Sequence, residues 1–163
     1  MSKQKLINHL TPLLVHLKSL DLSAVEQSRT ELESEFPIDG QWASELKKIL
    51  IAHQDADWLF PSSHRDIRFG QLCDAQAFGI SIDTVDMDKA GPSHLHLNGE
   101  VDIAFSIEGK PKFDGNGEGW TVYPPNSWHR PTVTGGRMII LYFLPGAALK
   151  FCREAPEGAV VYH

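Results

Sequence analysis

Near residue 65 the chain changes its hydrophobic period, and that change bounds what it can fold into. Before it the spacing is helical: Leu6, Leu10, Leu13, Leu14 and Leu17 fall on one stripe, with Pro12 as a local irregularity. Ser23 followed three residues later by Glu26 has the pattern of a capping box, opening a second helix with Val25, Leu32 and Phe36 on its apolar side. Pro37 helps to end it, and Asp39 is placed to cap a third helix in which Trp42, Leu46, Ile49 and Leu50 share a face. After residue 65 the chain alternates. "RDIRFGQL" does so, "FGISIDTV" puts Phe78, Ile80 and Ile82 on one side, and "EVDIAFSIEG" does the same for Val101, Ile103, Phe105 and Ile107. "WTVYPP" reads as a short strand stopped by prolines, and "RMIILYFL" as a buried strand after a hairpin-like "TGG". "AVVYH" can add a last strand to a tail that is mostly loop. The pattern predicts a helical N-terminal segment over residues 1–60 and an antiparallel β sandwich or barrel over residues 61–163.

A chain of 163 residues, 42% hydrophobic, can bury one good core. The net charge of -6, with no basic cluster, argues against nucleic acid and anionic membrane as partners. The opening "MSKQKLINHLTPLLVHLKSL" keeps charges within its apolar run and reads as an amphipathic helix rather than a signal peptide. No segment approaches the roughly 20 apolar residues of a membrane span. Cys73 and Cys152 lie far apart and form no CxxC. These features predict a reduced, cytoplasmic enzyme or binding protein. The apolar helix stripes suit packing together or a subunit interface, so a homo-oligomer, a dimer first of all, is expected.

The stretch "GPSHLHLNGEVDIAFSIEG" carries the chemistry. On a strand His94 and His96 emerge on one face and Leu95 and Leu97 on the other. Two imidazoles side by side suit a cation better than a core. Glu100 follows four residues after His96, and His129 comes later in "YPPNSWHRP", behind a proline-forced turn. Three histidines and a glutamate form a mixed donor set that suits a divalent first-row metal. The bland alternatives are a hydrogen-bonded HxH in the core and an "NGE" hairpin turn that pulls Glu100 off the histidine face. His9, His16 and His53 fall in helical segments and read as surface or capping residues, while His64 lies in a loop and His163 is terminal. Both cysteines read as small buried hydrophobes with no base beside them.

The first stretch resembles the first motif of the cupin superfamily: a glycine, HxH, a glutamate after three residues, then a strand ending at glycine. "GWTVYPPNSWH" resembles the second motif, with Pro124 and His129 matching and Asn126 standing where the family has glycine, a position asparagine can fill at positive φ. The resemblance implies a mainly β fold, a cupin-type jelly-roll barrel preceded by about three helices. It also implies His94, His96, Glu100 and His129 as ligands of iron, manganese, zinc, nickel or cobalt, with Glu100 as a ligand or an acid–base group.

Helices before the barrel and "YPPNSWHRPTVTGGRMIILYFLPGA" together resemble the small bacterial 4-hydroxylaminobenzoate lyases. That resemblance implies conversion of 4-hydroxylaminobenzoate and water into 3,4-dihydroxybenzoate and ammonia, with Glu100 moving protons. The substrate is then a small aromatic carboxylate, which needs flat walls and one cation. Phe105, Trp128 and Tyr142 are candidate walls. Arg68, Arg137 and Arg130 are candidate carboxylate clamps, Arg130 being disfavoured because a regular strand points it away from His129. Core packing and surface ion pairing explain the same residues. Two rival functions use the same barrel: an iron(II) dioxygenase acting on an aromatic or thiol, and a non-catalytic small-ligand binder.

Overall fold

The computed structural model describes residues 3–162; His163 therefore lies outside the described residues. Three helices lead: α1 (Lys3–Leu17), α2 (Val25–Glu35) and α3 (Gln41–Ala52). Ten strands follow: β1 (Ser62–His64), β2 (Ile67–Cys73), β3 (Ile80–Met87), β4 (His94–His96), β5 (Glu100–Phe113), β6 (Gly119–Tyr123), β7 (Ser127–His129), β8 (Val133–Pro145), β9 (Leu149–Phe151) and β10 (Val160–Val161). They form a six-stranded sheet in the order β1-β2-β3-β8-β5-β6 and a four-stranded sheet in the order β10-β7-β4-β9. Pairing is antiparallel throughout except between β10 and β7.

The large sheet uses its two faces differently. On one face Ile80, Ile82, Val101, Ile103, Phe105, Val122, Ile139, Leu141 and Phe143 form one core with the helix stripes. All five leucines expected on the α1 stripe are buried there. On the other face Met87, Ala104, Met138, Ile140 and Tyr142 fill the space between the sheets together with Phe113 and Val133. Opposed residues of antiparallel strands share a face, so the inner row Asp83, Tyr142, Asp102, Thr121 can be read directly from the register.

Several local expectations change. No capping box forms at Ser23: α2 starts at Val25 with no side-chain cap, and Glu26 instead receives Arg29 Nη2 at 2.8 Å. The turn before it is held by Asp21, whose carboxylate accepts the Ser23 amide and whose carbonyl accepts the Ser28 hydroxyl. Gly40 rather than Asp39 occupies the start of α3. "TGG" is no hairpin: Gly135 and Gly136 lie inside β8, where a Cβ at Gly136 would sit 2.0 Å from the Glu108 carbonyl. The strand expected to end at Gly109 runs on to Phe113, through register shifts between Ser106 and Glu108 and between Gly109 and Lys112. The tail holds an extra strand, β9. Both cysteines are free, and among the described residues no helix is long and apolar enough to cross a membrane.

Candidate metal centre

The small sheet presents the histidines. β4 and β7 pair so that His94 faces His129 and His96 faces Ser127, all on the inner face. The chain then crosses to the large sheet through Asn98 and Gly99, which turns at φ 85. A side chain at Gly99 would meet the Tyr123 carbonyl at 2.8 Å. This is the "NGE" turn, and it delivers Glu100 to the histidines instead of removing it. Asn126 holds φ 60, as its place in the glycine position requires. Its amide donates to the His96 carbonyl at 2.7 Å and its carboxamide to the Gly158 carbonyl, which locks the turn before His129.

The four side chains are buried, and one ligand atom from each lies within 4.8 Å of the others. Their hydrogen bonds decide where the lone pairs point. His94 Nδ1 sits 3.1 Å from the Pro92 carbonyl, which can only accept, so Nδ1 carries the proton. His129 Nδ1 donates to Asp114 Oδ2 at 2.7 Å. With that proton on Nδ1, the Nε2 atom of each ring is the one left to bind a metal, and the two face each other at 3.0 Å. Ser127 Oγ lies 2.9 Å from His96 Nδ1 and can accept its proton, leaving His96 Nε2 2.7 Å from Glu100 Oε2. Three imidazole lone pairs and a carboxylate converging in a dry space repel one another unless a cation lies among them. The donor set fits a divalent metal on this ground.

Asp114 stands behind His129. Besides His129 its carboxylate accepts the Tyr123 hydroxyl and the Thr132 amide. Holding one imidazole nitrogen by a carboxylate is how proteins fix the tautomer and direction of a metal-binding histidine.

The electrostatics are unusual for an acidic interior. With no cation present, a proton can take its place on the imidazoles: burial pushes Glu100 upward, but the charge of a protonated His96 and hydrogen bonds from His94 and His96 outweigh it and hold Glu100 well below the ordinary carboxylate range. Asp102, two residues on along the same face, goes well above that range through burial and through the charge of Glu100. Neither Asp102 oxygen has a hydrogen-bond partner among the described residues. Asp83, in the same inner row, is pushed up to about 6 by burial, with Gln71 opposing and Glu100 adding. Burial lowers His96.

The structure brings His94, His96, Glu100 and His129 together and places Tyr142 inside the barrel, its hydroxyl 3.7 Å from Met87 Sδ. The other candidates lie elsewhere. Phe105 is fully buried in the core shared with the helices, one residue out of phase with Glu100. Trp128 points away from His129 and donates its indole N–H to the Cys152 carbonyl. Arg68 and Arg137 both bind Asp86 on the helix-facing side of the sheet, Arg137 Nη1 at 2.8 Å. Arg130, just beyond β7, lines a cavity of about 280 Å³ with Tyr123, Asp114 and His129. That cavity lies on the Asp114 side of His129. Asp83 and Asp102 were legible, since each sits at even spacing from a residue of the inner face. Asp114 was not, because "FDGNG" reads as an ordinary turn.

Two sheets, antiparallel but for one pair, with three histidines and a glutamate converging between them, give the chain a cupin-type barrel fold. A cupin-like protein from Thermotoga maritima is similar at 12% identity with a TM-score of 0.43, covering 61% of this chain and 89% of that one. A putative acetylacetone dioxygenase from Methylibium petroleiphilum PM1 is similar at 18% identity and 0.40, covering 58% and 69%. The family profile described as PnbB, 4-hydroxylaminobenzoate lyase, matches residues 13–151, and the chain belongs to that family. A 4-hydroxylaminobenzoate lyase of Pseudomonas putida is 29% identical over 106 residues, 54% of this chain and 60% of that protein. Its namesake in Nocardioides sp. (strain LMS-CY) is 30% identical over 96 residues, 54% and 56%. The likeness to these relatives thus covers about half of the chain, not the whole, and the chain spans less than two thirds of the length of each.

Proposed function

We propose that the chain is a metal-dependent lyase that converts 4-hydroxylaminobenzoate and water into 3,4-dihydroxybenzoate and ammonia. One structural observation carries the metal part: the two Nε2 lone pairs of His94 and His129, 3.0 Å apart, with His96 and Glu100 completing the ring of donors. Membership of the lyase family carries the substrate part.

The reaction balances without an outside oxidant, because the N–O bond that breaks supplies the oxidation that the ring undergoes. Hydroxide leaves the nitrogen, water adds to the carbon beside it, and hydrolysis of the resulting imine releases ammonia. His94, His96, His129 and Glu100 would hold the metal, which supplies a Lewis acid for an oxygen atom and lowers the pKa of bound water. Asp114 orients His129 from behind. Asp102, two residues from Glu100 on the inner face, keeps its proton through burial and the charge of Glu100, and can pass it to a departing oxygen. Apolar residues, Met87, Ala104, Met138 and Ile140, close the barrel below and exclude water.

The test is an assay under argon with 4-hydroxylaminobenzoate, measuring ammonia and 3,4-dihydroxybenzoate. Equal amounts of both are expected, with no need for oxygen. Absence of ammonia, or turnover that requires oxygen, overturns the reading in favour of a dioxygenase.

A further inference from the structure

Edge strand β9 places Phe151 opposite His94, which in turn faces His129 across β7. The three side chains form one row on the inner face of the small sheet. The Phe151 ring meets the His94 imidazole edge to face, with centroids 6.0 Å apart and planes at 82°. Yet Phe151 is 65% exposed, more than any other large apolar side chain among the described residues. Core packing does not account for an inner-face phenylalanine left mostly in water beside a metal ligand. The large sheet repeats the arrangement. Phe69, opposite Val85 on the inner face of β2, is 41% exposed, and Asp83 lies one inner position further along, within the electrostatic reach of His94. Each sheet therefore contributes an exposed aromatic ring to an inner face.

We propose that Phe151 is the ring platform of the site, stacking against a flat one-ring aromatic acid and holding it beside His94 so that its polar substituent reaches the metal donors. The identity of the ring rests on the lyase reading; its location does not. The cavity near Arg130 is the competing location, but it lies on the side of His129 where Nδ1 is already bonded to Asp114, whereas the row of Phe151 and His94 leads to the Nε2 atoms.

The test is calorimetric titration of 3,4-dihydroxybenzoate and of 4-aminobenzoate into the metal-loaded protein, with azide as a ligand that has no ring. Phe151→Ala is expected to weaken both ring compounds about tenfold, the size of a lost stacking contact plus its buried area. Phe151→Trp should restore or tighten them. Metal content, melting temperature and azide affinity should stay at wild-type values, since an exposed side chain is removed, and Val15→Ala on the outer side of α1 should change nothing. The proposal falls if Phe151→Ala binds the rings within twofold of wild type, if azide weakens equally, or if the wild type binds neither ring. It also falls if Phe151→Ala only splits an oligomer, because Phe151 would then cover a subunit contact. Ammonia release with normal ring binding in Phe151→Ala removes the platform alone. No ammonia release with tenfold weaker ring binding removes the lyase reading alone.

Discussion

Replacing Asp114 by asparagine tests whether the proposed metal centre depends on the group behind His129. Asp114 accepts three hydrogen bonds, from His129 Nδ1 at 2.7 Å, from the Tyr123 hydroxyl and from the Thr132 amide at 2.9 Å. Asparagine has the same shape but no charge, and only one of its two polar atoms accepts. Its oxygen can take the Oδ2 place and keep His129 and Tyr123, or the Oδ1 place and keep Thr132, but not all three. Loss of a carboxylate behind a ligating histidine lowers metal affinity about 10–100-fold, or about 1.4–2.7 kcal/mol. Alanine is harsher. It leaves three largely buried donors without an acceptor, at about 1–3 kcal/mol each, so the fold itself loses several kcal/mol. Competition for zinc or cobalt against a fluorescent chelator reads the first effect, and urea unfolding of the metal-stripped protein reads the second. Metal affinity of Asp114→Asn within threefold of wild type would refute the reasoning. So would a loss of affinity matched by an equal loss of stability in the metal-free protein, since His129 would then be failing with the fold and not with its tautomer.

Stripping the metal with a chelator should lower the melting temperature by about 5–10 °C, because a ligand at 100 times its Kd stabilises by about 2.7 kcal/mol; scanning calorimetry before and after adding metal back checks this. Arg137→Ala should cost about 1–3 kcal/mol in urea unfolding, since Asp86, only 4% exposed, keeps Arg68 alone. Its KM for the aromatic acid should not move, and a rise above fivefold without loss of stability would return Arg137 to the role of substrate clamp. Asp83 governs a pH effect. Its native value of about 6 against an ordinary 3.8 means that the folded state binds the extra proton between those values. Stability of the metal-free protein therefore falls as pH rises from about 4 to about 6, by up to roughly 3 kcal/mol. Asp83→Asn should flatten that slope, and an unchanged slope in urea unfolding at pH 4, 5, 6 and 7 would refute the assignment.

Much of this site was legible before any coordinates. His94 and His96 share a face because strands alternate, and Glu100 and His129 lie at offsets from them that a cupin barrel explains. Asn126 at φ 60 shows that the substituted glycine position kept its conformation. The helix stripe of α1 was equally plain, since five leucines at helical spacing have few other uses. Of the residues proposed to bind substrate, Tyr142 lies inside the barrel, while Arg68, Phe105 and Arg137 lie on the outer face of the large sheet. Residue type and nearness along the chain do not fix the face, because a strand residue faces the barrel interior only if it has the parity of the inner face. Arg68 and Arg137 share the outer face with Asp86, and Phe105 sits at odd spacing from Glu100. Asp83 and Asp102 have the parity of the inner face.

Asp114 marks the point where parity itself stops working. Counted straight from Glu100, position 113 belongs to the outer face of β5, with Val101, Ile103 and Phe105. The structure puts Phe113 inside the barrel, against His129 and Tyr142. Two irregularities intervene: between Ser106 and Glu108, where Ile107 stays with the outer core and Glu108 pairs outward with Arg137, and between Gly109 and Lys112, so that seven steps along β5 match five along β8. Each such irregularity breaks the fixed alternation of the strand, and β8 turns with β5 here, since Val133 also faces inward. The close approach of Gly109 to Gly136 then lets β5 and β8 continue together to the register of Phe113 with Val133. The inward swing of Phe113 is what brings the next residue, Asp114, within 2.7 Å of His129. Two irregularities in a long strand thus precede the carboxylate that fixes the direction of His129, fifteen positions later in the chain. A hydrophobic pattern read in fixed steps of two has no means of showing it.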